Sequence, residues 1–66
     1  MQIFWLMIEQ EKKTLLRRYA DYFRKAEEAE AAAEIAHDDV ARNSFHMIAL
    51  GWRRLAEQVK QRLRRP

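Results

Sequence analysis

The chain lacks cysteine altogether, and it contains only one glycine and one proline among its 66 residues. Without cysteine, no disulfide and no thiolate metal site can stabilise a small fold. Pro66 is the last residue and Gly51 is the single glycine, so almost nothing interrupts long helices. Alanine, glutamate, arginine, leucine and glutamine are abundant, and all of them favour helix. We therefore expect an all-α fold.

Long hydrophobic runs are absent as well. The longest apolar stretch covers residues 3–8, whereas a helix that spans a membrane needs about 20 apolar residues. This stretch has neither the basic leader nor the small-residue cleavage site of a secretory signal. We expect an unprocessed cytoplasmic protein.

The short length of the chain predicts that it needs help to stay folded. A single domain of this size buries little surface relative to the conformational entropy that it loses on folding. Disulfides are excluded, so the common aid that remains is association with other protein chains. We therefore expect a homo-oligomer or a subunit of a larger protein complex.

The middle of the chain carries a heptad pattern of apolar and small residues. From Leu15 onward these residues recur in alternating steps of four and three, which places them in one stripe along a helix. The pattern predicts a first helix over residues 14–36. Its predicted seam comprises Leu15, Tyr19, Tyr22, Ala26, Ala29, Ala33 and Ala36.

A break in this pattern at residues 37–38 predicts a turn. Asp38 is a suitable N-cap, because its carboxylate can accept hydrogen bonds from the free backbone N–H groups of a following helix. Asp39 adds negative charge that is favourable at this end of a helix. A second helix is expected over residues 39–64. Its predicted seam comprises Ala41, Phe45, Ile48, Trp52, Leu55, Val59 and Arg62.

The two predicted seams stay in register if the chain reverses at this turn. Small side chains of the first helix then face large ones of the second, as with Ala26 opposite Trp52. Heptad spacing on both sides of a tight connection predicts an antiparallel two-helix hairpin with coiled-coil packing over residues 14–66. Residues 1–13 are expected to form an apolar N-terminal arm that extends the first helix.

One flank of the predicted seam is also apolar. Leu16 is expected beside Leu63, and Phe23 is expected beside Ala56. The opposite flank is predicted to be polar or empty. A hairpin whose apolar face is wider on one side favours packing against a second hairpin, so we expect dimerisation through this flank into a four-helix bundle. Glu30 lies on the same flank, where we expect it to meet a basic residue of the partner.

The arm and a basic cluster are predicted to meet at the open end of the hairpin, where both chain termini lie. The arm extends beyond the second helix, and several exposed large apolar side chains indicate a binding surface. The predicted partner-binding residues are Ile3, Phe4, Trp5, Leu6, Ile8, Leu16, Phe23 and Leu63. The predicted basic cluster comprises Lys12, Lys13, Arg17, Arg62, Arg64 and Arg65. Acidic residues gather near the turn instead.

No pattern in the chain indicates catalysis or a bound metal. His37 and His46 are separated by the start of the second helix, and most glutamates of the first helix point outward on a heptad wheel. No serine or threonine lies in a setting typical of an activated nucleophile. We expect no metal, no cofactor and no enzymatic activity.

Two residue patterns in the helices carry a resemblance to known proteins. The first helix contains Tyr22-x2-Lys25-Ala26-x2-Ala29, and the second contains Arg42-x2-Phe45-x2-Ile48-Ala49-x-Gly51-Trp52-x2-Leu55-Ala56. Over residues 19–58 the chain resembles short uncharacterised proteobacterial helical-hairpin proteins of unknown function. Those proteins have an aspartate at the start of the second helix, matched by Asp38, and often a proline after it, where Asp39 stands here. The resemblance implies a helical hairpin and no particular activity.

The sequence therefore predicts a non-enzymatic interaction or assembly module that self-associates or docks as a small accessory subunit of a larger complex. The alternative is a peripheral membrane-surface protein, in which the aromatic arm enters the lipid headgroup region and the basic C-terminus meets anionic lipid. Nucleic-acid binding is disfavoured, because the net charge is only +3 and no helix-turn-helix spacing is present.

Overall fold

The computed structural model describes the backbone of residues 2–64 and the side chains of residues 6–64. In this part of the chain there are two helices, α1 (Gln2–Glu34) and α2 (Asp39–Arg64), which pack against each other along the hairpin. The predicted all-α fold and the predicted helical hairpin are confirmed.

The connection between the helices is short and is held by a capping aspartate. α1 ends at Glu34, two residues before the predicted end, although the N–H of Ala36 still donates to the carbonyl of Ala33 at 3.3 Å. Asp38 caps α2 as predicted, because its Oδ1 accepts a hydrogen bond of 2.7 Å from the N–H of Ala41. This hydrogen bond satisfies one of the free donors at the start of α2.

Arg42 ties the start of α2 to the end of α1. Its guanidinium forms an ion pair of 2.8 Å with Asp39 and donates a hydrogen bond of 3.4 Å to the carbonyl of Ala36. Ala36 follows the last residue of α1, so this hydrogen bond satisfies a carbonyl of the connection between the helices. The reversal is made without any positive-φ residue in the described part of the chain.

The seam between the helices consists mainly of alanine. Five of the seven buried side chains between residues 6 and 64 are alanines, so the helices approach closely but remove little apolar area from water. Among the described residues, no large side chain is completely buried. The buried residues are Leu15, Ala26, Ala29, Ala33, Ala49, Ala56 and Val59. Four of them belong to the seam predicted for α1, and its other three members, Tyr19, Tyr22 and Ala36, are half-buried.

The predicted seam of α2 is wrong at alternate positions. Ile48 and Leu55, expected in the core, are 49% and 39% exposed, and Arg62 is exposed as well. Ala49 and Ala56 are buried instead, at 2% and 3% exposure. Every second position of the stripe shifts by one residue while the positions between are kept, so the buried face of α2 is turned by about 50° relative to the prediction, half of the 100° between successive residues.

Two physical causes account for this rotation. Alanine at positions 49 and 56 lets α2 approach the alanines of α1 more closely than isoleucine and leucine would allow. The rotation also brings the guanidinium of Arg53 within 2.8 Å of the Glu30 carboxylate on α1. The predicted stripe and the observed stripe share three residues, Phe45, Trp52 and Val59. These three residues therefore do not show which side of α2 faces α1.

The hairpin is a single layer of two helices. Its dimensions are 57 × 16 × 10 Å, and its radius of gyration is 16.0 Å. A compact domain of 66 residues has a radius of gyration of about 11 Å, and the thinnest dimension is about the diameter of one helix. Both flat faces of the hairpin are consequently open in a single copy.

Candidate partner-binding surfaces

α1 extends past α2 at the open end. Near the end of α2, Arg62 forms an ion pair of 3.6 Å with Glu11, so the earlier residues of α1 reach beyond the described part of α2. Leu6 and Met7 are exposed there, and Ile8 is half-buried. Together with Gln10 and Glu11, Leu6 and Met7 line a shallow recess in the surface. The side chains of Ile3, Phe4 and Trp5, which are predicted to bind a partner, lie outside the described residues.

The predicted basic cluster lies at the same open end. Its described members are all exposed, namely Lys12, Lys13, Arg17, Arg62 and Arg64. Arg65, the remaining member, lies outside the described residues. Six of the ten carboxylates gather toward the opposite end of the hairpin, whereas Glu9 and Glu11 lie at the open end; the six are Glu27, Glu28, Glu30, Glu34, Asp38 and Asp39. Charge is therefore separated along the length of the hairpin.

The flank that was predicted to be apolar comprises Leu16, Phe23 and Leu63, and we call it the Leu16 flank. Leu16 and Phe23 are exposed, and Leu63 is half-buried. The Phe23 ring stacks against Tyr19 with ring centroids 6.2 Å apart. The guanidinium of Arg53 lies over the same ring, 5.4 Å from its centroid. This cation–π contact partly covers the flank within the same chain.

Glu30 is paired within the hairpin. The sequence led us to expect that Glu30 would meet a basic residue of a partner chain, but Arg53 of the same chain occupies that role. Arg53 Nη2 lies 2.8 Å from Glu30 Oε1, and Arg53 Nε donates a hydrogen bond of 2.9 Å to the same oxygen. Both side chains are partly buried, so this pair is better shielded than the other ion pairs described here.

The flank opposite the Leu16 flank, which was predicted to be polar or empty, also carries an exposed apolar stripe of α2 that the prediction did not include. It comprises Ile48, Gly51 and Leu55, all of them exposed, and we call it the Gly51 face. These residues follow one another at steps of three and four, so they form one stripe along α2. The sequence pattern did not predict this stripe, because it assigned Ile48 and Leu55 to the contact between α1 and α2.

Gly51 lies in the middle of this face, and nothing within the hairpin requires a glycine there. A Cβ atom built at this position meets no heavy atom within 4 Å, and the backbone φ is not positive. Glycine in a helix interior costs about 1 kcal/mol relative to alanine. A glycine inside an otherwise strong helix pattern was the signal in the sequence that could have indicated a close approach at this face.

Trp52 is the largest side chain at the contact between the helices. Its ring stacks on Tyr22, with centroids 5.7 Å apart and an interplanar angle of 25°. The ammonium group of Lys25 lies 4.6 Å from the centroid of the Trp52 ring. Because Trp52 stays only half-buried, this contact secures the register of the helices without forming a closed core.

The hairpin exposes more surface than a folded monomer of its mass usually does. Its accessible surface is 5894 Å² for a mass of 8.0 kDa, whereas the general relation between mass and surface gives about 4,450 Å². The excess of about 1,400 Å² is larger than the roughly 800 Å² that each partner contributes to a standard protein–protein interface. A second chain could cover this excess.

The two histidines are both exposed and lie on opposite sides of the start of α2. Among the described residues, no three side chains of histidine, aspartate or glutamate come together where they could hold a metal ion. Neither helix, over the residues that the structure describes, combines the length and the apolar character needed to cross a membrane.

No family model, no curated protein and no solved structure matches this chain. The resemblance to proteobacterial helical-hairpin proteins therefore stays a prediction.

Proposed function

We propose that the chain is a non-enzymatic interaction or assembly module that self-associates or docks as a small accessory subunit on a larger protein complex. The observation that supports this function is the excess of about 1,400 Å² of accessible surface over that of a typical monomer. The single-layer shape of the hairpin also favours association with another chain, because two helices have no second layer against which to bury their flanks.

The composition of the seam gives an energetic reason for association. An alanine removes little apolar area from water, and burial contributes about 25 cal/mol for each Å². Domains of fewer than about 70 residues rarely gain more than 3–5 kcal/mol from their core. The seam here is largely alanine, so a partner chain supplies the burial that the isolated hairpin lacks.

The surfaces proposed to bind partners are the N-terminal arm and the Leu16 flank. In the arm, Leu6 is exposed beside the recess, and Ile8 is half-buried. In the flank, Leu16 is exposed one turn from Tyr19 and lies on the side of the seam that carries Phe23. The basic cluster at the open end favours a partner surface that carries negative charge.

Sedimentation of the full chain over a range of micromolar concentrations tests self-association. We expect the weight-average mass to rise with concentration, together with the midpoint of thermal unfolding, because association stabilises the folded state by mass action. A stably folded monomer whose melting temperature does not depend on concentration would exclude self-association. Docking on another complex would then be the only form of the proposal that survives.

A second candidate function is binding to a membrane surface. The observation that favours it is the position of exposed Leu6 and Met7 at the same end as Lys12, Lys13 and Arg64. Apolar side chains can enter the headgroup region while basic side chains attract anionic lipid.

Flotation with vesicles of phosphatidylcholine and phosphatidylserine tests this second candidate. Membrane binding predicts that the chain floats with the vesicles, and that added salt and Leu6→Glu both reduce the bound fraction. Ile35→Glu is the matched control, because Ile35 is an exposed apolar residue at the turn end. If the wild-type chain stays at the bottom of the gradient at low salt, membrane binding is excluded.

A further inference from the structure

We infer that the hairpin self-associates through the Gly51 face, with α2 of one copy packed antiparallel against α2 of a second copy and with Gly51 at the crossing point. This inference rests on the proposed function and specifies the surface and the geometry of self-association. In this geometry the Gly51 face, and not the Leu16 flank that the sequence favoured, forms the dimer contact. The Leu16 flank and the N-terminal arm then remain free for another partner.

Gly51 itself is the first argument. It is exposed in the interior of α2, its φ is not positive, and a Cβ would meet nothing within 4 Å. The fold of one copy therefore does not need glycine, although glycine weakens the helix. The other role of a helical glycine is to let a second backbone approach closely. Here that backbone belongs to a molecule outside the hairpin.

The neighbours of Gly51 are the second argument. Ile48 precedes it by about one turn and Leu55 follows it by about one turn, and both are exposed. Across a two-fold axis through Gly51, Ile48 lies against Leu55 of the partner subunit, and the reciprocal contact forms as well. The surface is self-complementary in this arrangement, because each copy supplies the large side chains of Ile48 and Leu55 and, between them, the space above Gly51.

Charge is the third argument, and it selects the antiparallel direction. α2 starts beside Asp38 and Asp39 and ends with Arg62 and Arg64. In an antiparallel pair, the acidic turn end of one copy lies beside the basic open end of the other. A parallel pair would place like charges together at both ends, which is unfavourable.

The chemistry of the other flank is the fourth argument. Arg53 already covers part of Phe23 and forms its ion pair with Glu30 there. A second hairpin on that side would remove this partly exposed ion pair from water, and desolvation of charges opposes association. Ile48, Gly51 and Leu55 are uncharged, so covering them removes no ion pair from water, and the exposed Lys25 on the neighbouring Trp52 ring stays at the edge of this contact.

Gly51→Leu separates this inference from a purely structural role. Leucine favours helix more than glycine does, and the hairpin has open space at this position, so we expect helicity to be kept or raised. The bulk of leucine prevents the close approach, and we expect the dimer dissociation constant to rise at least about 30-fold, the effect of losing an interface hot spot. Gln61→Leu, at another exposed position of α2, is the matched control and should leave association unchanged.

Charge substitution on the two flanks decides which one is used. Sedimentation equilibrium is measured for Ile48→Glu and for Leu16→Glu at matched concentrations, with circular dichroism as the check on folding. We expect Ile48→Glu to dissociate the dimer and Leu16→Glu to leave it intact. The reverse result overturns the inference but leaves self-association in place. A wild-type chain that is monomeric throughout contradicts self-association itself, so the two failures are distinguishable.

Cross-linking reports the direction of the helices. Ser44, Gly51 and Gln58 are seven residues apart along α2, and the chain has no cysteine of its own. Ser44→Cys and Gln58→Cys variants are mixed and treated with a short bis-maleimide. An antiparallel pair that crosses at Gly51 yields the mixed dimer. Products that link only like variants, or no mixed product, overturn the antiparallel geometry.

Discussion

Replacing Trp52 with alanine is expected to unfold most of the hairpin at room temperature. The Trp52 ring stacks on Tyr22 at 5.7 Å and is covered by the ammonium group of Lys25 at 4.6 Å, so its removal leaves a gap at the centre of the seam. Trp→Ala substitutions in cores cost about 3–5 kcal/mol. We expect the lower value, about 3 kcal/mol, because Trp52 is only half-buried. That loss is comparable to the whole stability of a domain of this size.

Urea unfolding followed by circular dichroism measures this effect at a fixed protein concentration. Trp52→Phe is the matched control, because it keeps an aromatic ring against Tyr22 and should lose markedly less stability. Lys25→Ala removes the cation from the Trp52 ring and should cost only about 0.5–1 kcal/mol. If Trp52→Ala unfolds at nearly the same urea concentration as the wild type, Trp52 does not hold the seam.

Ala26→Leu is expected to separate the helices and destabilise the fold by about 1–3 kcal/mol. Ala26 is completely buried, and it lies on α1 between Tyr22 and the following turn of the seam. A leucine at this position has no room unless α2 moves away, and Trp52 would lose its contact with Tyr22. The substitution adds apolar area yet destabilises, because the seam depends on the close approach that alanine permits.

The control for this prediction is Ala31→Leu. Ala31 is exposed on α1, and alanine and leucine have similar helix propensities, so we expect a change of less than about 0.5 kcal/mol. Thermal and urea unfolding of the two variants are compared at the same concentration. Equal stability of Ala26→Leu and the wild type would contradict an alanine-lined contact between the helices.

Much of the hairpin could be predicted from the spacing of residues along the chain. The stripe from Leu15 to Ala33 lies on the buried side of α1, and the carboxylate of Asp38 accepts a hydrogen bond at the start of α2. Both depend on residues within a turn or two of one another, so they can be inferred without knowledge of the partner helix.

The candidate surfaces were less accessible to sequence reasoning. The Leu16 flank is exposed where the pattern placed it, but its partial cover by Arg53 was not foreseen, because that contact joins residues on two different helices. The apolar character of the Gly51 face was not predicted. Its members became visible only when Ile48 and Leu55 were seen to lie outside the seam.

The sequence by itself determined that two helices form and that they reverse near Asp38, because heptad spacing and N-capping are local properties of the chain. Only the tertiary structure decided which side of α2 meets α1. Phe45, Trp52 and Val59 fit either choice, and the choice depended on how closely two alanine-lined helices approach and on the bond from Arg53 to Glu30. Both of these contributions come from contacts between α1 and α2, which the spacing of residues within one helix does not specify.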